Sequence, residues 1–544
     1  MKARTSVLAP AVVLALALIS TLTLGCVATR PPLTCPAEGG PSWTEVSSAH
    51  FLVQTDRGLA EARQLAVDLE TSRAALIQVL GAPRDEAARP LLVAVFERAV
   101  DLRATMRRRY SGVHFERLLG DLDLRRAIAL HGDVDYLART TLQHELVHEL
   151  LSRRVSRIPR WMNEGYAELY STLRIEGSEM VVGEIPQDVD FWAGTYTTRE
   201  VRPNFDRLWI AAHSAPSFND LLSATTDFPS GDPETYAYYA GACKLVHALR
   251  GDTNPALAPR FEAMTSAIVG GEDADTAFPR AYRGVLMSEI EGAYLALLTD
   301  NNDHLTRLPF EPPRDLAVSA RPMSDAEVHI LWGRFIATFG RGVGEFEPLR
   351  NEVEGQLLKG LDHTPGSPDL LYARAVTQHL HDDDAPALEA VTDLLAADPK
   401  NPKYLTLDLD IAIRDAARPA SSPSIRHKLT ALRAKATALL AANPTYSQRL
   451  FAAFAIGRAG DFDTAVAHTA ALVAEDPSCG LCFEVHAKIL YLLHRLPEAR
   501  AAASRALALA SRGHVSNLEQ VFTSFEDLAK LPPPSRDSPP PKAP

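Results

Sequence analysis

The stretch Thr141–Tyr170, with the sequence TLQHELVHELLSRRVSRIPRWMNEGYAELY, constrains the fold more than any other part of the chain. His144, Glu145 and His148 form the pattern HExxH, and Glu164 follows sixteen residues after the second histidine. Residues four apart lie on the same face of a helix, so the two imidazoles are spaced to share a metal ion. One zinc ion is the expected cofactor.

Each polar residue of this stretch has an expected part in the chemistry. His144 and His148 offer neutral ring nitrogens, and Glu164 on the next helix supplies the third ligand that a catalytic zinc site needs. Glu145, next to the metal but not bound to it, can take a proton from a water molecule whose pKa zinc lowers to roughly 7. Glu168 lies one turn beyond Glu164, where its carboxylate can accept the second ring N–H of a zinc-bound histidine and fix its tautomer.

The residues HELVH followed by WMNEGYAE resemble the gluzincin metallopeptidases, the superfamily of thermolysin and aminopeptidase N. The resemblance implies zinc on His144, His148 and Glu164, with Glu145 as the general base. It also implies an α+β zincin-like catalytic domain, a mixed sheet with active-site helices, over residues 43–308. The interval between His148 and Glu164 is a few residues shorter than in those two groups, and it fits better with the peptidase-MA-like families of bacterial exported proteins.

A tyrosine downstream of this stretch is expected to complete the site. In aminopeptidase-N-like enzymes a Tyr three residues before a Gly opens a helix, and its phenol stabilises the oxyanion of the transition state. Tyr238, followed by Gly241, is similar in placement and is the candidate. Because Ala240 stands where those enzymes have a Lys, Tyr236 and Tyr239 remain alternatives, as does a packing role for Tyr238.

Two functions are compatible with these motifs. Zinc-dependent hydrolysis of peptide bonds is favoured, since every residue that the reaction needs is present. Aminopeptidases hold the free amine of the substrate with a Gly-x-Met-Glu-Asn strand, which this sequence lacks, so an endopeptidase is expected. The alternative is a catalytically inactive scaffold or assembly lipoprotein of the cell envelope that keeps the peptidase fold for binding.

The first 26 residues have the features of an export signal. Lys2 and Arg4 give a positive start, Leu8 to Leu24 form the apolar centre, and Gly25-Cys26 ends the signal. The segment resembles a bacterial lipoprotein signal, which implies acylation of Cys26 and a lipid anchor in the membrane, although Thr23 and Leu24 depart from the usual pattern. Cleavage further on, or retention of the apolar run as an anchor, are the alternatives. Each places the bulk of the protein outside the cytoplasm, in the bacterial cell envelope.

The catalytic half has a mixed pattern of strands and helices. Prolines and glycines in residues 27–42 predict a tether between the anchor and the fold. The pattern after it predicts one or two strands over 43–55, a helix over 59–80, strands over 89–96, 116–121 and 125–130, the HExxH helix over 135–153, a second helix over 160–173 and a hairpin over 172–185. One strand just before the HExxH helix is expected at a sheet edge, where a peptide substrate can pair with it.

The second half is rich in Ala and Leu. Residues 309–322 contain four prolines and predict a linker, and helices are expected over residues 323–515. The segments LAADP, LAANP and VAEDP indicate three helix ends, at Pro399, Pro444 and Pro477.

These helices show a repeat, since Ala465 and Ala499 are 34 residues apart. The spacing resembles tetratricopeptide repeats, which implies an all-α solenoid whose concave surface binds a protein partner or the substrate chain. A helical cap that only stabilises the peptidase is the alternative. Residues 516–544 form a proline-rich tail.

Charge and cysteine content restrict the remaining functions. A formal net charge of −12 without a basic stripe argues against a nucleic-acid partner. Cys479 and Cys482 form the one close cysteine pair, and a local disulfide or inert thiols are expected there. Redox catalysis is not expected, because such a pair normally follows a strand, whereas this one falls between helices.

Overall fold

The computed structural model describes residues 31–82, 90–105, 127–132, 136–155, 158–184, 216–223, 233–299, 304–339, 346–419, 421–477 and 479–509. The predicted export signal with Cys26, the strand predicted at 116–121 and the predicted tail lie outside these residues. Within them, no helix combines the length and the apolar character that crossing a membrane requires.

Two sheets are present in the described part. The larger has the strand order β4–β3–β2–β1–β8, and the smaller has the order β5–β6–β7. The strands are β1 (Thr44–Ser47), β2 (Phe51–Thr55), β3 (Leu91–Phe96), β4 (Ala127–His131), β5 (Arg174–Glu176), β6 (Glu179–Val182), β7 (Thr306–Pro309) and β8 (Ser319–Pro322).

The larger sheet is mixed, as predicted. Strands β2, β3 and β4 run parallel, so that Val53 pairs with Val93 and Val93 with Ile128. Strand β1 is antiparallel to both of its neighbours, β2 and β8. The predicted hairpin is the antiparallel pair β5–β6, and its turn contains Gly177 with a φ of 64°, a left-handed conformation that glycine adopts readily.

The helices of the first half surround these sheets. They are α1 (Leu59–Leu80), α2 (Ala99–Thr105), α3 (Tyr136–Arg154), α4 (Arg160–Ser171), α5 (Phe218–Ser223), α6 (Pro233–Leu249), α7 (Ala258–Val269), α8 (Ala274–Ala281) and α9 (Met287–Thr299). Helix α3 is the predicted HExxH helix, and α4 carries Glu164. The sequence pattern located α1, α3 and α4 to within two residues at each end.

Both faces of the larger sheet are covered. Successive side chains of a strand point to opposite faces, and in β3 Val93 and Val95 enter one core while Ala94 and Phe96 enter another. The first core contains the apolar sides of α1, α3, α4 and α6. The second contains α2 together with helices from the second half of the chain. Strand β3 is therefore buried along its whole length, as expected for a central parallel strand.

The prediction of a tether over residues 27–42 is wrong for the part that the structure describes. Leu33 and Cys35 are buried in the second core. The backbone N–H of Leu33 also donates a 2.9 Å hydrogen bond to Asp101 Oδ1. This segment packs because its apolar side chains help to cover the sheet.

The linker predicted at residues 309–322, between the catalytic half and the helical half, is also wrong. These residues end in β8, which adds to the edge of the larger sheet beside β1. The helix that follows, α10 (Asp325–Phe339), contributes Trp332 and Phe335 to the second core, where they meet Trp43 and Phe96. One core therefore spans the predicted boundary, because the second face of the sheet has to be covered.

The rest of the second half is a run of helices, each packed on the next. They are α11 (Phe346–His363), α12 (Pro368–Leu380), α13 (Asp384–Ala397), α14 (Pro402–Ala417), α15 (Ser422–Ala441), α16 (Tyr446–Arg458), α17 (Phe462–Glu475), α18 (Gly480–Leu492) and α19 (Leu496–Leu509). The three predicted helix ends are confirmed, since α13, α15 and α17 stop just before Pro399, Pro444 and Pro477. Cys479 and Cys482 form a disulfide at the start of α18.

Candidate metal centre

Helix α3 presents two different sides. Leu142, Leu146 and Leu150 are buried in the first core. His144 and His148, four residues apart, point away from it, with 14% of each side chain exposed. The amphipathic pattern that anchors the helix thus leaves both imidazoles available to a ligand.

Helix α4 packs against α3 and brings Glu164 to the two histidines. The two Nε2 atoms are 3.1 Å apart. Glu164 Oε2 lies 3.4 Å from His148 Nε2 and 3.7 Å from His144 Nε2. One ligand atom from each of the three residues therefore lies at the corner of a small triangle.

These distances fit a zinc ion. Zinc bonds of about 2.0–2.2 Å in a tetrahedral arrangement hold the ligand atoms roughly 3.3–3.6 Å apart. Glu164 Oε2 is buried and has no hydrogen-bond partner among the described residues, which is costly for a carboxylate oxygen unless a cation binds it. His144, His148 and Glu164 therefore suit a zinc ion in number, chemistry and spacing.

The second nitrogen of one imidazole is held from α4. Glu168 Oε1 lies 3.2 Å from His144 Nδ1, one helical turn from Glu164. Glu168 accepts a hydrogen bond from the Nδ1–H of His144, which leaves the lone pair of Nε2 free for a metal. The structure thus brings Glu168 to the place that the sequence pattern predicts.

The charges around the imidazoles favour a bound cation. Burial disfavours protonation of His144, but Glu168, Glu145 and Glu164 outweigh it and raise the pKa of His144 to about 9. Burial likewise opposes protonation of His148, yet its pKa is raised, chiefly by Glu164. Three carboxylates around two imidazoles thus attract a positive charge, and a metal ion would displace protons from the histidines.

Glu145 follows His144 on α3 and is half-buried. Its charge acts on both His144 and His148 and on Tyr239 of α6. Glu145 is thus close enough to influence the corners of the triangle without being one of them, which is compatible with its predicted part as general base.

Tyr238 and Tyr239 occupy different positions on α6. Tyr238 is 1% exposed, and its hydroxyl donates a 3.3 Å hydrogen bond to the carbonyl oxygen of Leu221. The ring of Tyr239, in contrast, lies 6.0 Å from the ring of His144. Burial and the carboxylate of Glu164 raise the pKa of Tyr239, so its hydroxyl stays protonated and can donate a hydrogen bond. The side chain of Tyr236 lies outside the described residues.

A glycine in the NEGYAE motif allows α4 and α6 to approach each other. A Cβ atom at Gly165 would lie 2.5 Å from the carbonyl oxygen of Ala242 and 2.5 Å from Val246 Cγ2. No side chain fits there unless the two helices separate. Gly165 therefore fixes the distance between Glu164 on one helix and Tyr239 on the other.

We expect Gly165→Ala to lower the free energy of unfolding by about 1–3 kcal/mol, the usual cost of overpacking a core. The better helix propensity of Ala offsets at most about 1 kcal/mol of it. Gly292→Ala in α9 is the matched control, because nothing lies within 4 Å of a Cβ at that position. Urea denaturation of both variants measures the difference, and equal stability would contradict the close-approach explanation.

Comparisons with known proteins bear on the fold alone. No family model matches the sequence, and no curated protein matches it. A crystal structure of a thermophilic TPR (tetratricopeptide-repeat) protein from Thermus thermophilus is similar, with a TM-score of 0.31 and 18% identity. The match covers 37% of this chain and 99% of that protein. The candidate metal centre therefore rests on its own geometry.

Proposed function

We propose that this protein is a zinc-dependent metallopeptidase that cleaves internal peptide bonds of polypeptide substrates. The observation that carries the proposal is the triangle of His144 Nε2, His148 Nε2 and Glu164 Oε2, with sides of 3.1, 3.4 and 3.7 Å. His144, His148 and Glu164 would hold the zinc ion, which would supply Lewis acidity for hydrolysis of the scissile bond.

The remaining polar residues then have defined tasks. Glu145 accepts the proton of the attacking water and delivers it to the leaving amine, as a general base and then a general acid. Glu168 keeps the His144 ring in the tautomer whose Nε2 faces the metal, through the contact at His144 Nδ1. Both carboxylates belong to the helix pair α3–α4, so a rigid contact between two helices aligns base and ligands.

We assign the oxyanion hydrogen bond to Tyr239. Its ring lies beside His144, and its high pKa keeps the donor proton on the hydroxyl. The hydroxyl of Tyr238 donates its hydrogen bond to the carbonyl oxygen of Leu221. Tyr238 then serves the packing of α6.

Tyr239→Phe is expected to lower kcat by about 10²-fold or more, the usual result of removing one donor to an oxyanion. Tyr238→Phe is the matched control, and it should lower stability by only about 0.5–1.5 kcal/mol through the lost bond to Leu221. Steady-state hydrolysis of a quenched fluorescent peptide compares the two variants. A larger loss of kcat in Tyr238→Phe than in Tyr239→Phe would reverse the assignment.

One edge of the larger sheet supports a position for the substrate. In the described part, β4 pairs with β3 on one side and ends the sheet on the other, and it is the strand that precedes α3. An extended peptide that adds to β4 by main-chain hydrogen bonds lies next to the HExxH helix. Recognition through the main chain suits an enzyme that cleaves unfolded segments of varied sequence.

The proposal includes a cellular setting. The N-terminal signal implies export and acylation of Cys26, which would hold the enzyme at the membrane in the bacterial cell envelope. Helices α12–α19 would then offer a surface for a protein partner or for the substrate chain.

Metal analysis and a cleavage assay test the function together. The purified full chain should contain zinc at the triangle, and it should cleave an unfolded protein such as reduced casein into internal fragments that mass spectrometry identifies. A chelator should stop the cleavage, and added zinc should restore it. A folded protein that binds no metal at His144 and His148 would refute the proposal.

A further inference from the structure

A second cluster of metal-binding side chains lies where the N-terminal segment meets the helical half. Cys35, His329 on α10 and His363 at the end of α11 each offer one ligand atom, and these atoms lie within 4.8 Å of one another. Cys35 and His329 are both 0% exposed, whereas His363 is at the surface. The cluster borders the second core, on the opposite side of the larger sheet from α3 and α4.

His329 is the most informative member of this cluster. Its Nδ1 lies 3.3 Å from Gln356 Oε1, so the amide oxygen can accept the Nδ1–H and leave the lone pair on Nε2. Nε2 is buried and has no hydrogen-bond partner among the described residues. A fully buried nitrogen without a partner costs free energy, and a metal ion removes that cost.

Carboxylates complete the surroundings of the cluster. Glu38 Oε1 lies 3.5 Å from His363 Nε2. Asp325, at the start of α10, accepts a 3.0 Å hydrogen bond from the backbone N–H of Ala37, and it also contacts the Cys35 thiol. The cluster thus combines one sulfur and two nitrogens, and the Glu38 carboxylate lies beside one of the two imidazoles.

Local backbone geometry holds these side chains together. Residues Pro36–Glu38 form a 3₁₀ turn directly after Cys35, which returns Glu38 toward the thiol side of the turn. Between α10 and α11 the approach is close, because a Cβ at Gly360 would lie 3.0 Å from His329 Cβ. The glycine brings the end of α11, with His363, against His329.

We propose that Cys35, His329 and His363 bind a structural zinc ion, with Glu38 as the fourth ligand. Four protein ligands of sulfur, nitrogen and oxygen type and no open position are typical of a structural rather than a catalytic zinc site. Ligand atoms around tetrahedral zinc lie roughly 3.3–3.8 Å apart, so atoms that are now up to 4.8 Å apart would move closer together by up to about 1–1.5 Å when the ion binds. The ion would fasten the N-terminal segment to α10 and α11 across the second core. This inference does not depend on the proposed peptidase activity.

Cobalt substitution distinguishes this site from the triangle on α3 and α4. A thiolate bound to Co²⁺ gives a charge-transfer absorption in the near ultraviolet, and only the Cys35 cluster contains a sulfur ligand. Protein refolded with Co²⁺ should therefore show this band, and Cys35→Ser should abolish it. Cys243→Ser, which removes a buried cysteine that is likewise outside the disulfide, should retain it. His148→Ala should also retain it, because that change affects the other site.

Zinc content provides the second readout. Full-length protein should hold about two equivalents of zinc per chain, one in the closed site at Cys35 and one in the open site on α3 and α4. The variant Cys35→Ser should hold about one equivalent. If Cys35→Ser fails to fold, the zinc content of the surface variant His363→Gln tests the proposal, since this change removes a ligand without disturbing the core. Loss of one equivalent together with the cobalt band supports the site. A zinc content unchanged in Cys35→Ser or His363→Gln, or the absence of a thiolate band from folded cobalt protein, overturns it.

Discussion

Glu145→Gln should lower the rate of peptide hydrolysis by about 10²–10⁴-fold while zinc stays bound at the triangle. Glutamine keeps the size of the side chain but cannot accept the proton of the attacking water. The ligands His144, His148 and Glu164 are untouched, so the metal content of the variant should equal that of the wild type. Hydrolysis of a fluorescent peptide under saturating conditions, alongside zinc analysis of the same sample, measures both quantities.

The same variant separates the two functions that the motifs allow. If the protein acts as a peptidase in the cell, Glu145→Gln should reproduce the phenotype of a gene deletion. A scaffold would keep its function in this variant, because its fold and metal remain. Glu145→Gln should also retain substrate that it binds and fails to cleave, so capture on the immobilised variant is a route to the natural substrate.

His148→Ala should weaken zinc binding at the triangle by more than about 100-fold and abolish hydrolysis. Glu168→Gln should weaken binding by about 10–100-fold, the usual effect of losing a partner that orients a ligand. The order of the two effects follows from the contacts, since His148 is a corner of the triangle and Glu168 acts through His144 Nδ1. Competition with a chromophoric zinc chelator measures both affinities.

A histidine outside both clusters provides the control for these variants. His486 on α18 is half-buried, and its Nδ1 lies 2.7 Å from the hydroxyl of Thr469. His486→Ala removes an imidazole of similar burial, and zinc affinity at the triangle should not change. Equal zinc affinity in His148→Ala and His486→Ala would show that the triangle is not the metal site.

The metal triangle could be anticipated because its information is local. Helical periodicity alone places His144 and His148 on one face, and the short interval to Glu164 leaves little choice but a second helix packed on the first. The order strand, helix, strand over residues 43–96 was also predicted from the apolar pattern, whereas the mixed sheet was expected from the resemblance to the gluzincins. These features depend on contacts between neighbouring elements.

The features of the site that the sequence did not reveal depend on contacts between segments far apart in the chain, or on the rotation of a helix about its own axis. Adjacent residues of a helix point about 100° apart, so a choice between Tyr238 and Tyr239 needs the rotation of α6 about its axis. That rotation depends on how α6 packs against α4, and the sequence of α6 alone does not determine it. The cluster of Cys35, His329 and His363 joins three separate segments, and none of its pairs has the short spacing by which zinc motifs are found.

The pairing of β1 with β8 has a consequence for how the chain reaches its final state. Thr44 pairs with Pro322, so strand β1 can pair on this side only after residues much later in the chain have been synthesised. Contacts so distant in sequence form slowly, because a long loop has to close first. Until then Trp43 and Phe96 have no cover from α10, and their apolar surface is open to other chains. Such a chain needs protection until β8 has been made, and a fragment that stops before β8 would expose the same surface permanently.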